Sequence, residues 1–453
     1  MLLERLFKLK ENNTTISTEL IAGLTTFFAM SYIIVVAPSL LSQTGMEWGA
    51  VFLAVIIASV CGTLIMAFLA NLPLAQATGM GLLSFFVYTI CGTLGFTWQQ
   101  ALSMVFICGL INIFITVTSI RRRLILAIPK VLKDAISCGI GIFIIYVGIL
   151  NTGLIHFSGV PSLAPLNSAD ILVFLFAFVV SLILIIRKVK GALILGIAAG
   201  TILGIPLGVT APVASVTFTE AFAALPTTFG AIFTAEGIPS LFAEPTMIPL
   251  VLITILSFSL CDIFETVGTL IGSGRKVGLF SDADLSVMEK KSRGFSTKTD
   301  RALLADVSAT TLGAVFGSSN VTTFVESSAG VAEGGRTGMT GIVVAICFLI
   351  SVVTLPFASS VPLAATSPAL IIVGCMMLSI FGTLGWEKLE TAIPCFFISV
   401  FMGFCYSIAY GVAVGFILYC LVHLIKGEAK QVHPIIWIFS ALFILNFVVL
   451  ALF

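Results

Sequence analysis

Long apolar segments alternate with short polar segments along almost the whole chain. A helix needs about 20 apolar residues to cross a bilayer, and segments of this kind predict about fourteen spans. The predicted ranges are 18–41, 49–70, 74–91, 98–120, 131–151, 168–186, 191–209, 247–272, 302–317, 320–337, 339–357, 362–383, 392–425 and 434–453. The pattern therefore predicts an all-α polytopic membrane protein, because such helices satisfy their own backbone inside lipid.

The run 392–425 is too long for a single upright helix. Gly411 is the expected break, because glycine weakens a helix in its interior. Lys426 and Lys430 lie on the cytoplasmic side only if this run is broken. The number of spans after residue 390 therefore stays open.

Composition supports a membrane protein and excludes two other classes. Of 453 residues, 59% are hydrophobic and only 9% are charged, against about 25% charged residues in soluble proteins. So few charges cannot cover a soluble surface, and disorder needs low hydrophobicity with high charge. The net charge of +1 predicts no nucleic-acid partner.

The cysteines and histidines give no sign of catalytic or metal chemistry. The ten cysteines lie in or beside apolar runs without a CxxC pair, as small buried hydrophobic residues do. The three histidines, His156, His423 and His433, are isolated along the chain. We therefore expect neither an enzyme nor a bound metal or cofactor.

Lysine and arginine residues mark one side of the membrane. The predicted outside loops 42–48, 92–97, 152–167 and 210–246 contain none of them. With a cytoplasmic N-terminus, the inside segments include Arg5, Lys8, Lys10, Arg121, Arg122, Arg123, Lys130, Arg187, Lys188, Lys190 and seven basic residues from Arg275 to Arg301. This positive-inside pattern predicts a multi-pass protein of a bacterial-type cell membrane.

The chain divides into two halves of about seven predicted spans. A cytoplasmic segment, 1–17, precedes the first repeat, 18–209, and the extracytoplasmic loop 210–246 leads to the second, 247–453, with its cytoplasmic loop 273–301. An odd number of spans gives the halves opposite orientations, so we expect an inverted repeat. At one constant offset, Thr63, Leu64 and Phe68 match Thr311, Leu312 and Phe316, and Thr78-Gly79 lies over Glu326-Ser327.

A few ionisable residues lie inside apolar spans, where they are costly and usually functional. Asp262, Glu265, Thr266 and Thr269 share one helical face. The two carboxylates repel each other, so we expect one of them to hold a proton, as a proton carrier does. The alternative is a helix end near the cytoplasm with solvated acids.

A second polar cluster runs from Gly317 to Gly330. Its residues 321–325 are mostly β-branched or aromatic and predict a short extended segment, followed by a helix that begins near Ser327. Glu326 stands at this junction, where helix N–H groups favour an anion or a carbonyl oxygen. Extended backbone at membrane depth indicates a buried or cavity-lining segment. The alternative is a polar re-entrant or interfacial loop.

Three further features belong to the same predicted region. Gly79 and Gly81 in the stretch 76–86 permit a broken helix, or alternatively serve close helix packing. Asp306 either links to the acidic face or caps its own helix. Phe324, Phe85 and Phe86 offer aromatic faces of the kind that stack on a flat ring.

These residues resemble a known family. Residues 265–272, ETVGTLIG, are similar to the eighth-span motif of the azaguanine-like purine permeases, a branch of the nucleobase–ascorbate transporter (xanthine/uracil permease) superfamily. Residues 302–338 are similar to the ninth- and tenth-span signature of the same branch. Residues 23–41, 127–144 and 364–377 also look familial, so the resemblance covers nearly the whole length.

The resemblance implies a fold and an activity. It implies fourteen spans in a 7+7 inverted repeat, with core and gate domains and short strands in the broken spans 3 and 10. It implies a secondary active transporter that imports adenine, guanine or hypoxanthine by proton symport with an elevator-type movement. It also implies a homodimer.

The resemblance also implies site residues. The base would be held by an eighth-span acid, Glu265 or its neighbour Asp262, and by Glu326 in the tenth span. The implied substrate-binding set is Glu265, Glu326, Phe324, Val325, Gly79, Met80, Thr323 and Thr78. The implied proton-coupling set is Asp262, Glu265 and Asp306.

Three positions near the expected site depart from the family pattern. Leu83 stands where the family usually has an asparagine, and Ala37 before Pro38 replaces another. Glu265 stands where aspartate is common. The departures concern the identity of the base more than the class of transport, because loss of an amide removes two donors and one acceptor.

Other kinds of transport stay open at this point. One is an uncoupled nucleobase facilitator, and another is transport of a different nucleobase, such as xanthine or uracil. A third is a carrier of small anions, which would need a cation or only helix N-termini at its site. The acids of the predicted site disfavour the anion carrier.

Overall fold

A computed structural model of the chain describes residues 2–118, 127–157, 161–210, 216–276 and 297–452. The first half contains α1 (Leu2–Phe7), α2 (Ile16–Met30), α3 (Ile33–Leu41), α4 (Trp48–Ile65), β1 (Gln76–Thr78), α5 (Met80–Ser84), α6 (Trp98–Val117), α7 (Lys130–Asn151), β2 (Ile155–Phe157), β3 (Pro161–Leu163), α8 (Ala169–Ile186) and α9 (Ala192–Gly204). Two π-helical segments, Met66–Ala70 and Phe85–Thr93, extend α4 and α5.

The remaining elements form the connecting segment and the second half. They are α10 (Phe218–Thr228), α11 (Ile238–Leu241), α12 (Ile248–Lys276), α13 (Lys298–Phe316), β4 (Val321–Thr323), α14 (Ser327–Ala332), α15 (Gly338–Ser351), α16 (Leu355–Ala358), α17 (Leu363–Met377), α18 (Leu389–Ser399), α19 (Phe401–Phe404), α20 (Ile408–Ile425) and α21 (Pro434–Leu452). Short 3-10 helices occur at Ser42–Thr44, Ala231–Phe233, Pro245–Met247, Val352–Thr354, Leu378–Thr383 and Ala429–Gln431.

Long apolar helices dominate the architecture. In the described part of the chain, nine helices have the length and composition to cross a membrane, and four shorter apolar helices accompany them. In the interior, α13 packs against α4 and α6, and α7 packs against α17 and α18. The prediction of an all-α polytopic membrane protein is confirmed at this level.

Two of the predicted spans are broken by strands that pair with each other. β1 and β4 run antiparallel, with Gln76 opposite Thr323, Ala77 opposite Thr322 and Thr78 opposite Val321. The extended segment predicted over 321–325 is confirmed for β4, and the following helix begins at Ser327 as predicted. The pair is buried, which favours the buried-segment interpretation over an interfacial loop.

Threonine side chains from the preceding helices complete the hydrogen bonds of these strands. Thr63 Oγ of α4 accepts from Gln76 N at 2.9 Å and lies 3.0 Å from Gln76 O. Thr310 Oγ of α13 donates to Val321 O at 2.8 Å. Backbone groups at membrane depth therefore find partners within the protein, which extended chain needs where water is absent.

Glycines let the two helices approach the strands closely. A Cβ added to Gly313 of α13 would lie 2.6 Å from Val321 Cγ2 and 2.8 Å from Ser319 O. A Cβ added to Gly62 of α4 would lie 2.9 Å from Val321 Cγ1. Both distances are too short for a real side chain, so these positions require glycine for β4 to sit where it does.

The long C-terminal run is broken, but not at Gly411. The chain turns at residues 405–407, where Tyr406 has φ +51° and Ser407 caps α20 by accepting from Tyr410 N. The expectation for Gly411 is wrong because this residue lies inside α20 and serves close packing. A Cβ there would lie 2.2 Å from Met402 Cγ.

The two helices α12 and α13 extend into the two ends of the basic segment that separates them. α12 continues to Lys276, and α13 begins at Lys298, so each helix enters the predicted cytoplasmic loop 273–301. Residues 277–296 lie outside the described residues. The 392–425 run is broken into separate helices. We therefore expect Lys426 and Lys430 on the cytoplasmic side.

A pair of reporter fusions tests this side assignment. We expect green fluorescent protein fused after Lys430 to fluoresce and alkaline phosphatase fused there to be inactive, because the turn at 405–407 returns the chain to the basic side. Fusions after Leu166, in a predicted outside loop, are the control and should give the opposite result. Phosphatase activity at Lys430 would contradict the assignment.

Candidate functional site

The acidic face of α12 is buried in the middle of a long helix. Asp262 and Thr266 have no exposed surface, and Thr269 is 8% exposed. α12 is 29 residues long and continues for eleven residues beyond Glu265 to Lys276. The alternative of solvated acids at a helix end is therefore excluded for Asp262, and this face lies against the paired strands.

Glu265 points to the glycines at the start of α5. Its Oε1 would lie 3.5 Å from a Cβ at Gly79 and 3.6 Å from a Cβ at Gly81. Its buried Oε2 has no hydrogen-bond partner among the described residues. The two glycines make room for the carboxylate, and one carboxylate oxygen keeps its capacity to accept a proton or a ligand N–H group.

Asp262 lies in a different environment, one turn earlier on α12. Its Oδ2 accepts from Asn112 Nδ2 of α6 at 2.9 Å, and Asn112 Oδ1 accepts from Ser259 Oγ. Asn112 and Asp262 have no exposed surface. Asn112 was not among the site residues predicted from the sequence, although a single amide inside the apolar run 98–117 is a usable signal.

Asp306 joins both strands to α12. Its Oδ1 accepts from Thr323 N at 2.8 Å, Thr323 Oγ at 2.7 Å and Gln76 Nε2 at 3.2 Å. Its Oδ2 accepts from Thr266 Oγ at 2.5 Å. The helix is capped instead by Thr297, which accepts from Asp300 N. The interpretation of Asp306 as a link to the acidic face is confirmed, and the interpretation as a cap is wrong.

Glu326 sits at the N-terminus of α14, beyond the other end of the strand pair. Its Oε1 accepts from Tyr32 Oη at 2.9 Å. Tyr32 is 1% exposed and lies between α2 and α3. Tyr32 was not predicted as a site residue, because one tyrosine in an apolar span forms no recognisable motif. The contact shows that the first predicted span contributes to the site.

The strand ends are fixed by further hydrogen bonds at predicted site residues. Gly79 N donates to Asn320 O at 3.2 Å, Phe324 N donates to Ala75 O at 3.0 Å, and the Thr78 and Ser318 hydroxyls lie 2.6 Å apart. Met80 begins α5 directly after Gly79. The predicted residues of spans 3 and 10 are therefore brought together around one two-stranded element.

The side chains next to Glu326 differ in exposure. Phe324 is 7% exposed, whereas Val325 is 51% exposed. Phe85 and Phe86 are fully buried, and the ring of Phe85 packs at 5.8 Å from that of Phe258. Of the three aromatic residues expected near the site, Phe324 lies two residues before Glu326 in the sequence.

The arrangement provides two glutamates near opposite ends of a short, buried strand pair. Carboxylates accept N–H groups, and each carboxylate offers two oxygens to a ring that presents donors. Asp306 has its oxygens occupied by donors, while Glu265 retains an unpartnered oxygen. Such acceptors are suited to binding the N–H groups of a polar ligand.

Known proteins are similar in sequence to this chain over nearly its full length. A family model described as "Permease family" (Xan_ur_permease) matches residues 17–428. The guanine/hypoxanthine permease PbuO of Bacillus subtilis (strain 168) is 38% identical, over 98% of this chain and 100% of that protein. The adenine permease AdeP of Escherichia coli (strain K12) is 35% identical, over 99% and 96% respectively.

Solved structures share the fold at low sequence identity. The transmembrane domain of the cyanobacterium bicarbonate transporter BicA matches with a TM-score of 0.61 and 14% identity, over 87% of this chain and 96% of that one. The structure of SLC26A9 matches with a TM-score of 0.60 and 12% identity. This likeness concerns the fold alone.

The buried strand pair, the apolar helices and the full-length similarity lead to one assignment. The resemblance stated from the sequence is confirmed, and the chain is a multi-pass cell-membrane transporter rather than an enzyme. The protein belongs to the xanthine/uracil permease family, among relatives that are purine nucleobase permeases.

Proposed function

We propose that the protein imports purine nucleobases, namely adenine, guanine or hypoxanthine, by proton symport. The observation that carries the proposal is the placement of Glu265 and Glu326 at the two ends of the β1–β4 pair. A purine is flat, with N–H groups and acceptors on its edges. Two carboxylates with fixed backbone between them suit such an edge.

The proposed binding set keeps the residues expected from the sequence. Glu265 and Glu326 would read the base, and the backbone of Gly79-Met80 and Phe324-Val325 would complete the pocket. The hydroxyls of Thr78 and Thr323 already bond to Ser318 and Asp306, so these threonines would support the pocket walls.

Proton coupling is assigned to α12. Glu265 has an unpartnered oxygen, so a proton can bind there without displacing an existing hydrogen bond. Asp262 lies one turn away in contact with Asn112 and remains a second candidate. Asp306 is also in the expected coupling set, but protonation would compete with its four donors. Its geometry favours a fixed anion that holds the strands.

The finer architecture belongs to the same proposal. Each half contains a long helix, then a strand, then a short helix, namely α4–β1–α5 and α13–β4–α14. This recurrence and the antiparallel pairing support a 7+7 inverted repeat with fourteen spans. In this proposal a core domain carries the site past a gate domain in an elevator-type movement, and the protein is a homodimer.

The first test is uptake by variants of the Glu326 contact in a strain without purine permeases. We expect Glu326→Gln to lower uptake of labelled purines about a hundredfold, because the charged carboxylate that accepts N–H groups of the base in this proposal is lost. Tyr32→Phe keeps the carboxylate and should lower uptake by only about tenfold. Glu390→Gln, which breaks an exposed ion pair with Lys426, is the control at equal expression. Normal uptake by Glu326→Gln would contradict the assigned role.

The second test separates symport from facilitation. A protonophore should abolish accumulation of the base, because the membrane potential contributes about 2.3 kcal/mol per charge at 100 mV. Glu265→Gln should lose accumulation but keep exchange of labelled for unlabelled base, since glutamine cannot release a proton. Accumulation that survives both treatments would favour the uncoupled facilitator. Competition by sulfate or bicarbonate would favour the anion carrier.

The third test concerns Asp306 as an anchor. We expect Asp306→Asn to destabilise the purified protein by about 2–3 kcal/mol, because it places an amide where four donors need a carboxylate. The measurement is the Tm in detergent, with Asp170→Asn at the exposed first turn of α8 as the control. An unchanged Tm together with lost proton coupling would instead make Asp306 a proton carrier.

A further inference from the structure

One buried polar group near Glu265 is not used by the proposed binding set. Asn320 precedes β4 and has no exposed surface. Its amide Nδ2 has no hydrogen-bond partner among the described residues. A buried amide without a partner is destabilising, so such a group in a transport site points to a ligand that supplies the acceptor.

The amide donor and the carboxylate converge on residue 79. Asn320 Nδ2 would lie 2.8 Å from a Cβ at Gly79, and Glu265 Oε1 would lie 3.5 Å from the same point. The hydrogen bond from Gly79 N to Asn320 O holds the two strands at this place. Asn320 Oδ1 accepts from Ser319 Oγ at 3.5 Å, which leaves the NH2 group as the free end.

We propose that Asn320 is a specificity-determining residue, whose amide donates to the 6-oxo group of a purine while Glu265 accepts the neighbouring N1–H. The inference rests on the proposed function and deepens it, because it names 6-oxopurines as the preferred class. The Asn320 donor beside Glu265 Oε1 presents a donor–acceptor edge, while Glu265 Oε2 is left for the coupled proton. Guanine and hypoxanthine present the complement, with O6 as acceptor and N1–H as donor.

The same donor–acceptor edge predicts the order in which different purines bind. Guanine and hypoxanthine share O6 and N1–H, so both fit this edge. Adenine in this orientation places its 6-amino donor against the amide donor and its unprotonated N1 against the carboxylate. Sites built from buried polar groups discriminate strongly against ligands that leave those groups unpaired. Unsubstituted purine lacks both O6 and N1–H and isolates the contribution of this edge.

The test is competition against uptake of labelled hypoxanthine by the full-length chain. For the wild type we expect hypoxanthine to compete about tenfold better than unsubstituted purine, the ratio that corresponds to about 1.4 kcal/mol. In Asn320→Ala, purine should compete as before, while the hypoxanthine advantage should shrink to about two- to threefold. Asn320→Gln keeps an amide and should retain part of the advantage.

A matched asparagine provides the control. Asn151 also has a buried Nδ2 without a partner among the described residues, but its Oδ1 accepts from Tyr88 Oη and it is not part of the proposed binding set. Asn151→Ser should therefore leave the hypoxanthine-to-purine ratio unchanged. A general structural effect of losing a buried amide would change both variants alike.

Each outcome separates this inference from the proposed function. If Asn320→Ala transports purines with an unchanged hypoxanthine-to-purine ratio, the inference is overturned while purine transport stands. If no purine base competes in the wild type, the proposed function itself fails. If Asn320→Ala does not reach the membrane, the wild-type series decides, and equal competition by hypoxanthine and unsubstituted purine overturns the inference.

Discussion

Two strands of three residues each are buried inside the protein, so their backbone groups depend on partners that the protein itself supplies. Their pairing satisfies part of the backbone, and Thr63, Thr310 and Asp306 satisfy further groups. Asp306 reaches β4 directly, β1 through Gln76 and α12 through Thr266. One buried carboxylate thus fixes the relative positions of the three elements that carry the site.

The acids inside the membrane-spanning region fall into two groups. Anchors are carboxylates whose oxygens accept hydrogen bonds from other elements of the fold, and the other acids keep capacity to bind a ligand or a proton. Glu19 is an anchor, since it accepts from Arg336 N and from Thr340 N at the start of α15. Asp306 is another, with donors on both oxygens. Glu265 keeps an unpartnered oxygen, and Glu326 accepts from Tyr32 Oη. An acid in a membrane span is therefore not functional by its presence alone, and its hydrogen bonds decide which role it has.

Much of the fold was predictable because lipid imposes strong patterns on sequence. The apolar spans, the strand at 321–323 and the helix start at Ser327 followed from hydrophobic length and β-branched composition. The turn at 405–407 was misplaced at Gly411, because glycine serves helix packing as well as helix breaking. The sequence alone does not distinguish a glycine that packs inside a helix from a glycine that ends one.

The acids of the candidate site were predictable from the sequence, but most of their hydrogen-bond partners were not. Glu265, Glu326 and Asp306 stood out as charges in apolar runs. Tyr32, Asn112 and Asn320 are neutral, and their importance depends on contacts between residues far apart in the chain. Only the structure shows which neutral side chain lies beside which acid.

Coupled movement of a purine base and a proton is the central claim, and purified protein in liposomes tests it most directly. The measurement is the internal pH, followed with a trapped dye, after purine bases are added outside without an imposed pH gradient. The account predicts that guanine or hypoxanthine acidifies the interior in wild-type liposomes and not in Glu265→Gln liposomes. Base entry without any change of internal pH would contradict it.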